Sequence, residues 1–281
     1  MRFTTARTTR VTRSAFPATD VIRKVLSVAV ATGLLVGLIM ATVLQFTTTP
    51  LILQAEVYEK AAEAQEGKSV FASLPRPGTH VLRAHDHADA SAAPVKHQDS
   101  GWQPAEGLQR TAATSVATIA VSIGYAGILL GCMLLARERI DPKGGLLWGL
   151  AGFAAVGLAP ALGLAPELPG SAAGDLTLRQ FWWIATAVAS AVGLYLAIRQ
   201  PQPSAKVAGV ALLVAPHLIG APRPAAFEST APAELAASFA ATSLVVHALL
   251  WSLVGLGVGW FWTRIAGDVP RVTDAAMKAS S

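Results

Sequence analysis

Imidazole nitrogen is the commonest protein ligand for a first-row divalent metal. The histidines of this chain are unevenly placed. Four crowd into the stretch HVLRAHDHADASAAPVKH: His80, His85, His87 and His97. Alternate residues of an extended segment share a side, so His85 and His87, flanking Asp86, present two imidazoles together. His80, Asp89, His97 and Asp99 complete a loose, exchangeable metal site on this reading. On the other reading the stretch is a polar, alanine- and proline-rich loop whose imidazoles are idle.

The other two histidines lie in apolar surroundings, LLVAPHLIGAP for His217 and ATSLVVHALLW for His247. An ionisable group in such a segment is costly and marks a functional site by default. His217 directly follows Pro216, which has no backbone donor and leaves a carbonyl free one turn earlier. It is read either as a metal ligand facing that opening, or as an interface histidine reaching the lipid headgroups. His247 is either a second ligand or a hydrogen-bonding group between helices. Glu56 and Glu167 are the carboxylates expected near His217. Glu56 also belongs to a series, with Glu59, Glu63 and Glu66 in AEVYEKAAEAQEG. Spacings of three and four put these glutamates along one face of a short helix, either a cation-attracting face or simply a solvated one. Cys132, the lone cysteine, allows no disulfide and no CxxC site. Beside Met133 it reads as an exit ligand or as core packing.

The elements that carry these residues follow from composition. The chain is 53% hydrophobic and only 14% charged, with a mean hydropathy of +0.48, whereas soluble domains carry about 25% charge. We expect an all-α, polytopic integral membrane protein with six transmembrane helices. The sequence pI of 9.7 does not signal nucleic acid, because the basic residues are not gathered into one stripe. The expected plan is a basic arm over 1–23, then spans over 24–47, 111–136, 144–163, 180–199, 206–221 and 238–263, and a tail over 264–281. The one long loop, 48–110, holds the four clustered histidines. The first apolar run is too long for the h-region of a cleaved signal peptide. The fifth span, broken by Pro216, is the shortest.

Orientation follows from the basic residues. Arg2, Arg7, Arg10, Arg13, Arg23 and Lys24, then Arg137, Arg139 and Lys143, then Arg199 and Lys206, then Arg264, Arg271 and Lys278 all fall on one side of a six-span chain. That side is cytoplasmic by the positive-inside rule, with both termini on it. Dropping the 206–221 helix would break the pattern. All six histidines then lie outside or in the outer half of the membrane.

Two spans close on a shared pattern, APxLxxAP, at 159–166 and again at 215–222, and the first run ends on a weaker copy, PLILQA. Three helix hairpins in parallel orientation are expected. Proline-interrupted spans at matching positions point to a transporter's binding region, although prolines also merely end helices. The pairs Gly33/Gly37, Gly127/Gly131, Gly145/Gly149 and Gly255/Gly259 are GxxxG spacings that allow close helix approach. Trp182, Trp183, Trp260 and Trp262 fall near span ends, where aromatic belts form.

Several segments together carry a family resemblance: PLILQAEVYEKAAE, EGLQRTAATSVATI, LWGLAGFAAVGLAPALGLAPELPG and LLVAPHLIGAP followed by PAELAASFAATSL. They resemble the CbtA family of predicted cobalt transporter subunits, over about residues 34–262. The resemblance implies a multi-pass protein of the bacterial inner membrane that takes up cobalt for cobalamin synthesis. It also implies a small partner, CbtB, with one span and a histidine-rich end. It supplies no ligand set, and the N-terminal arm and the His80–His97 loop lie beyond it.

The expected function is therefore the membrane subunit of a cobalt(II) uptake transporter, the metal being cargo rather than a permanent cofactor. The competing reading is a non-transporting assembly factor or metal sensor whose outer loop binds a partner. An integral-membrane enzyme is the weakest reading, because no nucleophile–base set converges in the spans. No GxxxxGK[ST] phosphate loop and no ATPase-sized cytoplasmic segment is present. A 2+ ion moving inward across 100 mV, negative inside, gains about 4.6 kcal/mol, which suffices without ATP.

Overall fold

The computed structural model describes residues 18–72, 104–172, 174–224, 226 and 229–265. His80, His85, His87 and His97 lie outside the described residues. The described residues are helical. They contain no named strand, only an isolated bridge between Ser171 and Ser229. We number the helices α1 (Ala18–Phe46), α2 (Thr48–Ala72), α3 (Leu108–Leu135), α4 (Pro142–Ala161), α5 (Leu176–Arg199), α6 (Pro203–Ile219) and α7 (Ala233–Ile265). Five of them, α1, α3, α4, α5 and α7, are long and apolar enough to cross a membrane. The sixth apolar helix, α6, is shorter, at 17 residues. That length rises about 26 Å and falls at the lower limit for a span.

The interval 48–110 does not begin as a loop. The 25 residues of α2 follow α1 after a break at Thr47. Pro50 explains the break, since its missing donor leaves the Phe46 carbonyl unserved. At the joint the Thr47 hydroxyl donates to the Val43 carbonyl at 2.8 Å.

The chain packs as two units, with α1, α3, α4 and α7 contributing a segment to each. The first unit holds residues up to Gly37, then Ile119–Gly152, then Leu250 onward. Its helices meet through glycine. A Cβ on Gly33 or Gly37 would strike Ile123 or Ile119 of α3. Gly145 and Gly149 of α4 lie directly against Gly255 and the Trp251 carbonyl of α7, and Gly259 meets the Asp141 carbonyl. Three of the four GxxxG spacings thus sit at close crossings. The fourth does not, because Gly131 has no neighbour within 4 Å of its Cβ position. The reversal from α3 to α4 is a Schellman turn. Arg137 takes φ +56°, and the Glu138 and Arg137 amides donate to the Met133 and Leu134 carbonyls at 2.9 and 3.0 Å. Asp141 then accepts from the Gly144 amide at 2.8 Å, capping α4.

The second unit holds Leu38–Thr118 and Phe153–Leu249. Ala55 of α2 packs with Leu168, Ala231 and Leu235 in a buried cluster that Leu51 and Ile52 extend. The loops before α5 and α7 are joined by the Ser171–Ser229 bridge and by the Thr230 amide donating to the Gly170 carbonyl at 3.2 Å. Gly170 has φ +75° and lies against Thr230, which leaves no space for a side chain. α5 starts on Asp175, whose carboxylate accepts from the Leu178 amide at 2.8 Å. It packs along α6 where Gly193 and Gly209 meet backbone to backbone.

Candidate functional site

Each proline break has a definite local consequence. The Pro160 ring cannot sit above the Val156 carbonyl in a regular helix. The turn ahead of it widens instead into a π-helix, Ala154–Leu158, in which the Ala159 amide donates to the Ala154 carbonyl. Such π-turns relieve inserted prolines and recur at functional sites. Pro216 lies in the last turn of α6 with no π-turn before it, and the helix stops at Gly220, φ +88°. Both prolines are buried. Their carbonyls accept from equivalent donors, the Leu164 amide for Pro160 at 2.8 Å and the Gly220 amide for Pro216 at 3.0 Å. The two APxLxxAP stretches thus share this one hydrogen bond, with Ala161 standing where the other has His217.

His217 is half-buried in the last turn of α6. Its ring meets the edge of Trp182 of α5, centroids 6.1 Å apart at 70°. His247 is half-buried in α7, and its ring meets Phe153, 6.1 Å away at 74°. Phe153 directly precedes the π-turn. A Cβ on Gly157, inside that turn, would come within 3.1 Å of the His247 Nδ1. His247 therefore packs against the part of α4 that Pro160 distorts.

The two carboxylates expected beside His217 are each paired with an arginine. Arg110 holds Glu56 in a two-pronged ion pair, with hydrogen bonds of 2.9 and 2.5 Å. Arg179 donates to Glu167 at 2.6 Å. The Arg110 hydrogen bond, helped by the charges of Arg110 and Lys60, holds the Glu56 carboxyl below its ordinary pKa against the opposing effect of burial. Glu56 and Glu59 are also not on a freely solvated face. Both are half-buried on the side of α2 that carries Ile52 and Ala55, while Glu63 is exposed. Among the described residues, no three histidine, cysteine or acidic side chains gather to hold a metal. Cys132 is exposed, whereas Met133 beside it is fully buried.

The belt reading fails for one tryptophan. Trp182 is 7% exposed, and its Nε1 has no hydrogen-bond partner. Thr186 and Ser190, one and two turns further along α5, are fully buried, and their hydroxyls are unpartnered as well. An unpaired buried hydroxyl costs about 1–3 kcal/mol. Their signal was present in the sequence as WxxxTxxxS, a spacing that stacks side chains on one helix face.

A family model described as a probable cobalt transporter subunit, CbtA, matches residues 22–263. No curated protein and no solved structure matches the chain. The match covers nearly all of the described helices, and the chain belongs to the CbtA family of probable cobalt transporter subunits.

Proposed function

We propose that this chain is the membrane subunit of an inward transporter for a divalent cation, cobalt(II), feeding cobalamin synthesis in a bacterium. It spans the inner membrane six times with both termini in the cytoplasm, α6 being the short fifth span. The observation that carries the reading is the placement of His217. It stands one residue after a buried proline, half-buried, with its ring against the edge of a buried tryptophan. Imidazole is a borderline ligand that takes cobalt(II) readily. His247, against the π-turn, is the second station. Glu56 and Glu167 are arginine-bound and would have to release those partners to serve as ligands. His80, His85, His87 and His97 capture metal outside and pass it on.

One histidine does not fill a coordination sphere. The remaining ligands come from backbone carbonyls at the proline break, from water, or from the partner that the word subunit in the family description implies. We assign that partner as a small CbtB-like protein with one span and a histidine-rich end. The membrane potential drives the ion, with about 4.6 kcal/mol available per 2+ charge at 100 mV.

His217→Ala abolishes cobalt uptake at every metal concentration while the protein still accumulates in the membrane. His247→Ala lowers the maximal rate. Replacing His80, His85, His87 and His97 together weakens uptake only when metal is scarce. Radioactive cobalt uptake by cells expressing each variant with the partner checks all three. Wild-type uptake by His217→Ala would remove His217 from the path.

A further inference from the structure

We propose that the stripe Trp182, Thr186 and Ser190 on α5 is a wet track for a hydrated divalent cation, leading from His217 toward the middle of the membrane. The inference rests on the uptake reading above.

The hydroxyls themselves supply the first observation. Serine and threonine in an apolar helix normally silence their own O–H by donating to the carbonyl four residues back. This chain does so repeatedly: Thr42 to Leu38, Thr47 to Val43, Ser115 to Thr111 and Thr118 to Thr114, at 2.8 to 3.0 Å. Thr186 and Ser190 do not. Both are fully buried and have no hydrogen-bond partner, and the Trp182 indole N–H above them is in the same state. Buried polar atoms are paired as a rule, so each exception needs a partner of its own.

Their register is the second observation. Residues 182, 186 and 190 fall within about 80° of one another around the helix, at 100° per residue. Gly193 falls in the same sector and packs on Gly209 and Leu213 of α6. The stripe therefore faces the helix that carries His217, and Trp182 touches that imidazole directly. From Trp182 to Ser190 the helix rises about 12 Å, a large fraction of one leaflet.

The chemistry suits the cargo. Neutral hydroxyl oxygens replace water in an ion's shell without holding it, which a conducting path requires. A carboxylate on the stripe would trap a divalent ion; none is present at these positions.

Thiol labelling tests wetness without relying on transport. With Cys132, the native cysteine, replaced by alanine, the full chain in membranes carries Thr186→Cys, Ser190→Cys or the lipid-facing control Val188→Cys, whose position is 58% exposed. We expect a small cationic methanethiosulfonate to modify cysteines at 186 and 190 at least tenfold faster than at 188. Equal, slow labelling at all three overturns the track whatever the transport result. The second arm is cobalt uptake. The double variant Thr186→Val, Ser190→Ala should lose at least fivefold in maximal rate, with a melting temperature equal to or above that of the parent. Thr186→Ser should retain the parental rate. Full transport by the double variant overturns the path. If the unsubstituted protein with its partner carries no cobalt, the uptake reading fails, and labelling alone decides whether the stripe is wet.

Discussion

At the scale of single residues, the arginine partners reshape what the acidic side chains can do. A carboxylate read alone is a candidate ligand; one gripped by a guanidinium is first of all a structural tie. Glu56 joins α2 to the start of α3 through Arg110, with side chains 21% and 31% exposed. Because its folded pKa is depressed, the tie contributes fully above the ordinary glutamate value of 4.5 and is lost as pH falls through the lower folded value. Glu56→Gln should therefore lower stability by about 1–3 kcal/mol near pH 7, and the gap between variant and parent should close in acid. Melting curves in detergent at both pH values check this; a gap that widens in acid contradicts the tie. Neither arginine partner was legible in the sequence. Arg110 lies 54 residues from Glu56, and no periodicity links two residues across so long an interval. The position of His217 in a helix directly after Pro216 was legible, because both lie in one apolar run. Its aromatic neighbour was not, since Trp182 reads equally well as a belt residue.

At the scale of helices, the apolar runs form the long helices, and the prolines mark where they start, bend or end. The helix α2 was under-read because its glutamates, lysines and alanines look like a solvated loop with a short helix in it, although each is a good helix former. The π-turn was not legible either. Pro160 announces a distortion, but whether the chain kinks, stops or widens depends on what packs there, and here His247 and Phe153 do. Pro216, in the matching pattern, ends its helix with no π-turn before it. Equal spacing of glycines likewise hides unequal roles. Gly149→Ala would drive a methyl into the Trp251 carbonyl, whereas Gly131→Ala meets nothing within 4 Å. The first should destabilise by about 1–3 kcal/mol. The second should be neutral or stabilise by up to about 1 kcal/mol. Thermal unfolding of the two purified variants, side by side, reads the difference; equal loss in both would show that the α4–α7 crossing is not tight.

At the scale of the whole chain, topology decides what the histidines mean. Reporter fusions at Lys143, Lys206 and Ser281 should show the cytoplasm and one at Ala90 the outside. The short helix α6 sets the parity, so an outside signal at Ser281 would remove it from the count of spans and reverse the side assigned to α7 with His247. The helical character of the described residues, and the presence of several helices long and apolar enough to cross a membrane, were legible from hydropathy alone, because a membrane segment must be both long and apolar. Whether ligands converge was not, because coordination depends on which side chains the fold brings together, and among the described residues no three potential ligands gather. The most direct test is uptake of radioactive cobalt(II) at submicromolar concentration by cells expressing this chain with a single-span partner, with and without an uncoupler that collapses the membrane potential. The account predicts accumulation that needs both proteins and disappears with the potential. Verified membrane insertion of both proteins with accumulation no greater than in empty cells would contradict it.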